Sequence, residues 1–111
     1  SLKPAVLYFL LIEGIDGRWL QKVGITSADR GVDCGRYSRA ESQYYINVAE
    51  YEFKSGREAL NYENEIKEKF NKYRCEKENY PLKHGFTEAY DIGDVDIHEY
   101  FIDKVFINRI I

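Results

Sequence analysis

Residues 5–12, AVLYFLLI, are apolar at every position, and no other run limits the fold as much. Side chains of a strand alternate between two faces, so a strand that is apolar on both belongs in the middle of a covered sheet. The run is too short to cross a bilayer, which takes about 18 apolar residues or more. The opening SLKPAV lacks the plan of a secretory leader, so neither a membrane span nor export is expected.

A hairpin comes directly after the run. Asp16-Gly17, within EGIDGR, is a two-residue turn signal, and residues 18–25 (RWLQKVGI) make the returning strand. Alternation puts Trp19, Gln21, Val23 and Ile25 on one face and Leu20, Lys22 and Gly24 on the other. Thr26-Ser27-Ala28-Asp29 leaves the strand, a short helix is expected around residues 32–41, and residues 44–53 (YYINVAEYEF) form a third strand. Ser55 opens a capping box with Glu58 and starts a helix over residues 56–73. Residues 74–93 are irregular, punctuated by Pro81, Gly85 and Gly93. A last helix over residues 96–107 starts at Asp96 and buries Ile97, Phe101 and Val105 at helical spacing. These elements describe one α+β domain over residues 1–111: a small, mainly antiparallel three-stranded sheet flanked by helices.

Composition agrees with a packed core, since 44% of residues are hydrophobic and ten Tyr and six Phe are present. Cys34 and Cys75 follow no metal-ligand spacing and are too few for a disulfide framework, so free thiols in a reducing cytoplasm are expected, with a single disulfide as the alternative. The net charge of -3 counts against a DNA grip by bulk electrostatics alone, because nucleic-acid binders usually carry a basic domain or stripe. Contact with DNA would need a local patch, for which Arg18, Lys22, Arg30, Arg36 and Arg39 are candidates; a mixed solvated surface is the plainer alternative.

The long helix carries a carboxylate in an unusual place. At about 100° per residue, Ala59, Tyr62, Ile66, Phe70 and Tyr73 form one apolar stripe. Glu58, Glu65 and Glu68 point away from it, whereas Glu63 falls inside its edge. A carboxylate facing a core needs a cation, a donor or a metal. Glu63 is either a boundary residue reaching solvent or a basic partner, or a metal ligand aimed into a cleft between helix and sheet.

This order of elements and residues resembles the GIY-YIG nuclease superfamily, in particular its small phage-type branch. The family's first strand carries a Tyr, matched here in Leu7-Tyr8-Phe9, without the preceding Gly. Its second strand ends in Tyr-Ile-Gly or a variant, here Lys22-Val23-Gly24 followed by Ile25-Thr26. The family's metal-binding Glu sits on a later helix, often as Glu-x-x-Ile-Lys, and Glu63, Ile66 and Lys67 fit that pattern. The segments Phe53-Lys54-Ser55-Gly56-Arg57-Glu58-Ala59 and Gly85-Phe86-Thr87-Glu88 also resemble the phage branch. The family Arg on the first helix has two candidates. Arg36 is preferred to Arg30, because Arg36-Tyr37-Ser38 resembles the helical segment and Arg30 falls in the expected loop.

The resemblance implies a DNA endonuclease that hydrolyses phosphodiester bonds with one Mg2+ or Mn2+. Glu63 would hold the metal, which keeps most of its waters. Arg36 would donate to a non-bridging phosphate oxygen. Tyr8 would act as general base for the attacking water, with Lys22 as the cation that favours its phenolate or as a partner in the proton transfer. The plainer alternatives are a core aromatic for Tyr8, a solvent-facing strand residue for Lys22 and a solvated Arg36. His84 and His98 have no paired ligand spacing. Glu88 is either a second acidic contributor or a loop-packing or capping residue, and Tyr44 and Tyr45 are stacking candidates or sheet residues. A binding module of the same fold with weakened catalysis, holding DNA or a protein, is the first rival. A homodimer through the apolar end Val105-Phe106-Ile107-Asn108-Arg109-Ile110-Ile111 is the second.

Overall fold

A computed structural model describes residues 3–28, 45–81 and 86–110, with backbone alone for 86 and 106–110. Strands β1 (Ala5–Glu13), β2 (Trp19–Ser27) and β3 (Tyr45–Phe53) precede helix α1 (Gly56–Phe70). A two-residue strand β4 (Ala89–Tyr90) and helix α2 (Ile97–Ile110) complete the domain. The architecture is α+β, with an antiparallel sheet in the order β3-β1-β2-β4. The expected sheet gains a fourth strand, β4, inside the stretch read as irregular. The expected helix over 32–41, with Arg30, Arg36, Arg39 and Cys34, lies outside the described residues, as do His84 and Tyr44.

β1 is interior to the sheet, and its uninterrupted apolar run is the reason. Ala5, Leu7 and Phe9 enter one cluster with Val23, with Ala59, Ile66 and Phe70 of α1, and with Ile97 and Phe101 of α2. Val6, Tyr8, Leu10 and Ile12 form a second cluster on the other face, joined by Ala28 and Tyr45. Burying each large apolar side chain in this way contributes on the order of 1.5–3 kcal/mol.

The hairpin between β1 and β2 turns where Asp16-Gly17 signals it. Gly17 has φ of +87°, and Gly17 N–H donates to the Gly14 carbonyl at 3.0 Å. A Cβ there would meet no atom within 4 Å, so the need for glycine is conformational alone. Gly17→Ala is expected to cost about 1 kcal/mol in urea unfolding, the strain of an L-residue at positive φ. Asn79 anchors the turn from across the chain: its Oδ1 accepts from Asp16 N–H at 2.8 Å and its carbonyl from Ile15 N–H at 2.9 Å.

Ser55 caps α1, its Oγ accepting from Arg57 N–H at 3.2 Å. Glu58 in the first turn and Lys67 and Lys69 in the last complement the helix dipole. Ala59, Ile66 and Phe70 of the expected stripe are buried and Tyr62 is half-buried; Glu63, at the stripe's edge, is buried with them. The last turn tightens to a 3₁₀ turn, Asn71–Tyr73. Asp96 caps α2 through Glu99 N–H at 3.1 Å. Gln21 ties that helix to β2, its Oε1 accepting from Ile97 N–H at 2.8 Å and its Nε2 donating to the Val95 carbonyl. Of the residues expected in its buried stripe, Ile97 and Phe101 are buried and Val105 is half-buried against the core.

Candidate active site

Lys22 is the most unusual residue of the sheet: a lysine with 0% exposure. Its Cα pairs with Leu10 on β1 and with Ala89 on β4, so β2 is flanked on both sides at this point. Its Nζ lies 2.8 Å from Oε2 of Glu88. Glu88 closes the 3₁₀ turn Phe86–Glu88 immediately before β4, and that placement brings its carboxylate to the ammonium. The alternative of a solvent-facing strand residue is therefore excluded for Lys22, and Glu88 is its ion-pair partner.

From Glu88 the charges continue to α1. Lys67 Nζ stands 3.8 Å from Oε1 of Glu88 and 3.5 Å from Oε1 of Glu63, one helical turn earlier. Glu63 is 6% exposed. Burial raises its pKa above the usual carboxylate range, and the negative charge of Glu88 adds to the rise. Lys67, and behind it Lys22, oppose it. Tyr90, 1% exposed and across the sheet from Gln21, belongs to the same electrostatic environment. Burial first, then the Glu63 charge, push its phenol up to about 12. Four charged side chains, Lys22, Glu88, Lys67 and Glu63, thus form a continuous and internally neutral cluster between β2 and α1.

Tyr8 stands on the Lys22 face of the sheet. It is opposite Gly24, while Lys22 is opposite Leu10, so the two occupy alternate positions of one face. The phenol lies over Gly24, where an added Cβ would come within 2.2 Å of the Tyr8 oxygen. Tyr8 is 5% exposed and packs with Val6, Leu10 and Ile12. Of the residues singled out in the sequence, Lys22 and Glu63 are linked through Glu88 and Lys67, whereas Tyr8 shares the strand face of Lys22, opposite the face on which the apolar stripe of α1 packs. Arg36 lies outside the described residues, as does Arg30.

The donor set limits what metal this site can take. Among the described residues, no group of three or more His, Cys, Asp and Glu side chains is arranged to hold an ion. Glu63 offers one hard oxygen ligand whose ionised form is disfavoured by burial and by Glu88, a cost that a bound dication would relieve. Lys67 now supplies part of that relief, and with a third of its side chain exposed it can turn to solvent. These features fit a hard cation held by one carboxylate and otherwise by water.

No family model, curated protein or solved structure matches the chain.

The remaining candidates fall into ordinary roles. His98 is drawn into the aromatic core, its Nε2 at 2.6 Å from the Tyr51 hydroxyl and its ring 5.0 Å from that of Phe9. Tyr45 is half-buried against the Tyr8 cluster. Cys75 is buried, its thiol pushed up to about 11 chiefly by that burial. The expected basic patch changes character where it is described: Lys22 is internal, and Arg18 is paired with Asp16 at 2.8 Å and Asp91 at 3.0 Å. A cleft of about 320 Å³ beside the start of α2 is lined in part by Lys22, and one of about 510 Å³ lies by the hairpin turn. Neither is lined by Tyr8, Glu63 or Glu88.

Proposed function

We propose that this chain is a metal-dependent DNA endonuclease of the GIY-YIG kind, or the catalytic module of one, hydrolysing phosphodiester bonds with Mg2+ or Mn2+. The observation that carries it is the pair of buried charges, Glu63 on α1 and Lys22 on β2, joined through Glu88 and Lys67. Burying ions costs several kcal/mol each, and apolar residues of similar volume would stabilise the domain at least as well. A small fold that keeps two of them, bridged by the half-exposed Glu88 and Lys67, supports a use for their chemistry.

Glu63 would hold the metal, which when bound acts as a Lewis acid and offsets charge on the leaving oxygen. The protein's own groups handle the water and the phosphate. The Tyr8 oxygen accepts the proton of the attacking water as the new O–P bond forms and the bond to the leaving oxygen breaks; solvent protonates the leaving oxygen. A phenol ordinarily titrates near ~10 and is a poor base at neutral pH, so it needs a nearby cation. Lys22, on the same face, is the candidate for that role or for a share in the transfer. Arg36 is assigned to a non-bridging oxygen by the resemblance.

Tyr8→Phe keeps the ring and removes the proposed base. It is expected to lower Mg2+- or Mn2+-dependent plasmid nicking by about 10²–10⁴-fold with the melting curve little changed. Nicking at the parental rate would show that Tyr8 is a core aromatic and no more. The second reading, a DNA- or protein-binding module with weakened catalysis, draws on the same cluster, whose charges already neutralise one another. Salt-dependent DNA binding without nicking by the parent protein would establish it. We place the protein in the cytoplasm under the endonuclease reading, and no helix among the described residues is long and apolar enough to cross a membrane. A homodimer would appear as a mass that rises with concentration.

A further inference from the structure

Glu88 handles neither the water nor the metal in this mechanism, yet its carboxylate touches the most deeply buried charge among the described residues. We propose that Glu88 is a positioning residue, which sets the Lys22 ammonium in its working place for phosphodiester hydrolysis. The assignment rests on the endonuclease reading. Lys22 is fully buried and its long side chain has many rotamers, so something must select one. A carboxylate at 2.8 Å does so by a charge-assisted hydrogen bond. The backbone keeps the partner close: Lys22 pairs with Ala89, and Glu88 is the residue immediately before it, at the end of a 3₁₀ turn. The second oxygen of Glu88 faces Lys67, which meets Glu63. Glu88 therefore stands next to the Lys22 ammonium by a direct contact and reaches Glu63 only by way of Lys67, so its effect on the reaction runs through Lys22.

A structural ion pair and a positioning one differ in what removing it does to the reaction. In single-turnover nicking, Glu88→Gln is expected to lower the rate about 10- to 100-fold, the usual scale for a residue that orients a functional group. KM should change less than about two-fold, and Glu88→Asp should recover part of the rate. Glu88→Gln leaves a buried ammonium without this counter-charge and endangers folding, so the double variant Lys22→Met/Glu88→Gln, which removes both charges, is measured beside Lys22→Met. With Lys22 absent, Glu88→Gln should have no further effect on the rate. Independently of activity, the Lys22 ammonium should give a shielded 1H–15N signal in the parent that is lost or displaced in Glu88→Gln.

Equal losses in the two backgrounds, or an unchanged ammonium signal, overturn the assignment. A parent that nicks and a Glu88→Gln variant that nicks as fast overturn this role alone. A parent that does not nick overturns the endonuclease reading and this role together.

Discussion

Glu63→Gln is expected to lower metal-dependent nicking by about 10²–10³-fold or more, while leaving the protein at least as stable as the parent at neutral pH. The two halves have one cause. Glu63 is 6% exposed, and burial is the largest influence raising its pKa, with Glu88 adding to it. In the folded protein the proton is therefore held to higher pH than in the unfolded chain. Between the ordinary carboxylate pKa and the raised one, the native state binds more protons, so stability falls as pH rises through that window. Below the window the contribution of Glu63 is fully present; above it the contribution is lost. Gln keeps the shape and never ionises. Its advantage should be largest at neutral pH and should shrink as the pH drops into the carboxylate range. Lys67 loses a partner at 3.5 Å, but a third of its side chain is exposed and water can solvate it. Nicking assays at neutral pH, with urea midpoints there and in the carboxylate range, make the measurement. A variant that nicks normally would move the metal site elsewhere. One less stable at every pH would mean that the Lys67 attraction outweighs the burial cost.

Short-range periodicity is what the sequence makes legible here. The α1 stripe is visible because Ala59, Ile66 and Phe70 recur at helical spacing, and Glu63 is conspicuous at its edge; the spacing alone leaves its burial open. The hairpin is visible because Asp16-Gly17 supplies a positive φ between two apolar runs. β4 is not visible. It has two residues, Ala89 and Tyr90, too few for any alternation to register, and it exists because β2 and the backbone at Tyr73 and Cys75 pair with it. The environment of Lys22 is hidden for the same reason. On an alternating strand a lysine reads as solvent-facing, and its burial depends on a residue 66 positions away. The one signal for Glu88 was the local likeness of Gly85-Phe86-Thr87-Glu88 to the phage branch, which says nothing of its partner. Tyr90 gave no signal, since ten Tyr are spread through the chain. Functional charge pairs between distant segments are set by the assembled sheet, and periodicity along one segment cannot report them.

Gly24→Ala is expected to cost about 1–3 kcal/mol of stability, the scale of an overpacked core, and to lower nicking about 10²-fold. Glycine is not needed at this position for its backbone. The positive-φ glycines among the described residues are Gly17 and Gly93, and Gly24 continues an ordinary strand. In a strand of that kind, Ala is normally the better residue by about 0.5–1 kcal/mol, because glycine loses more entropy on folding. The cost comes from Tyr8, which supplies the three atoms nearest to the new Cβ. Its oxygen, Cζ and Cε1 would lie 2.2, 2.4 and 2.9 Å from the new Cβ. The ring is rigid and packed among Val6, Leu10 and Ile12, so relief of the clash means moving the phenol away from the Lys22 face. That motion is what nicking should register. The decisive experiment is a reversal of sign. With Tyr8→Ala already in place, the space over residue 24 is empty and Gly24→Ala should be neutral or slightly stabilising. A loss of equal size in both backgrounds would separate Gly24 from Tyr8, and the phenol would no longer be held by the residue beneath it.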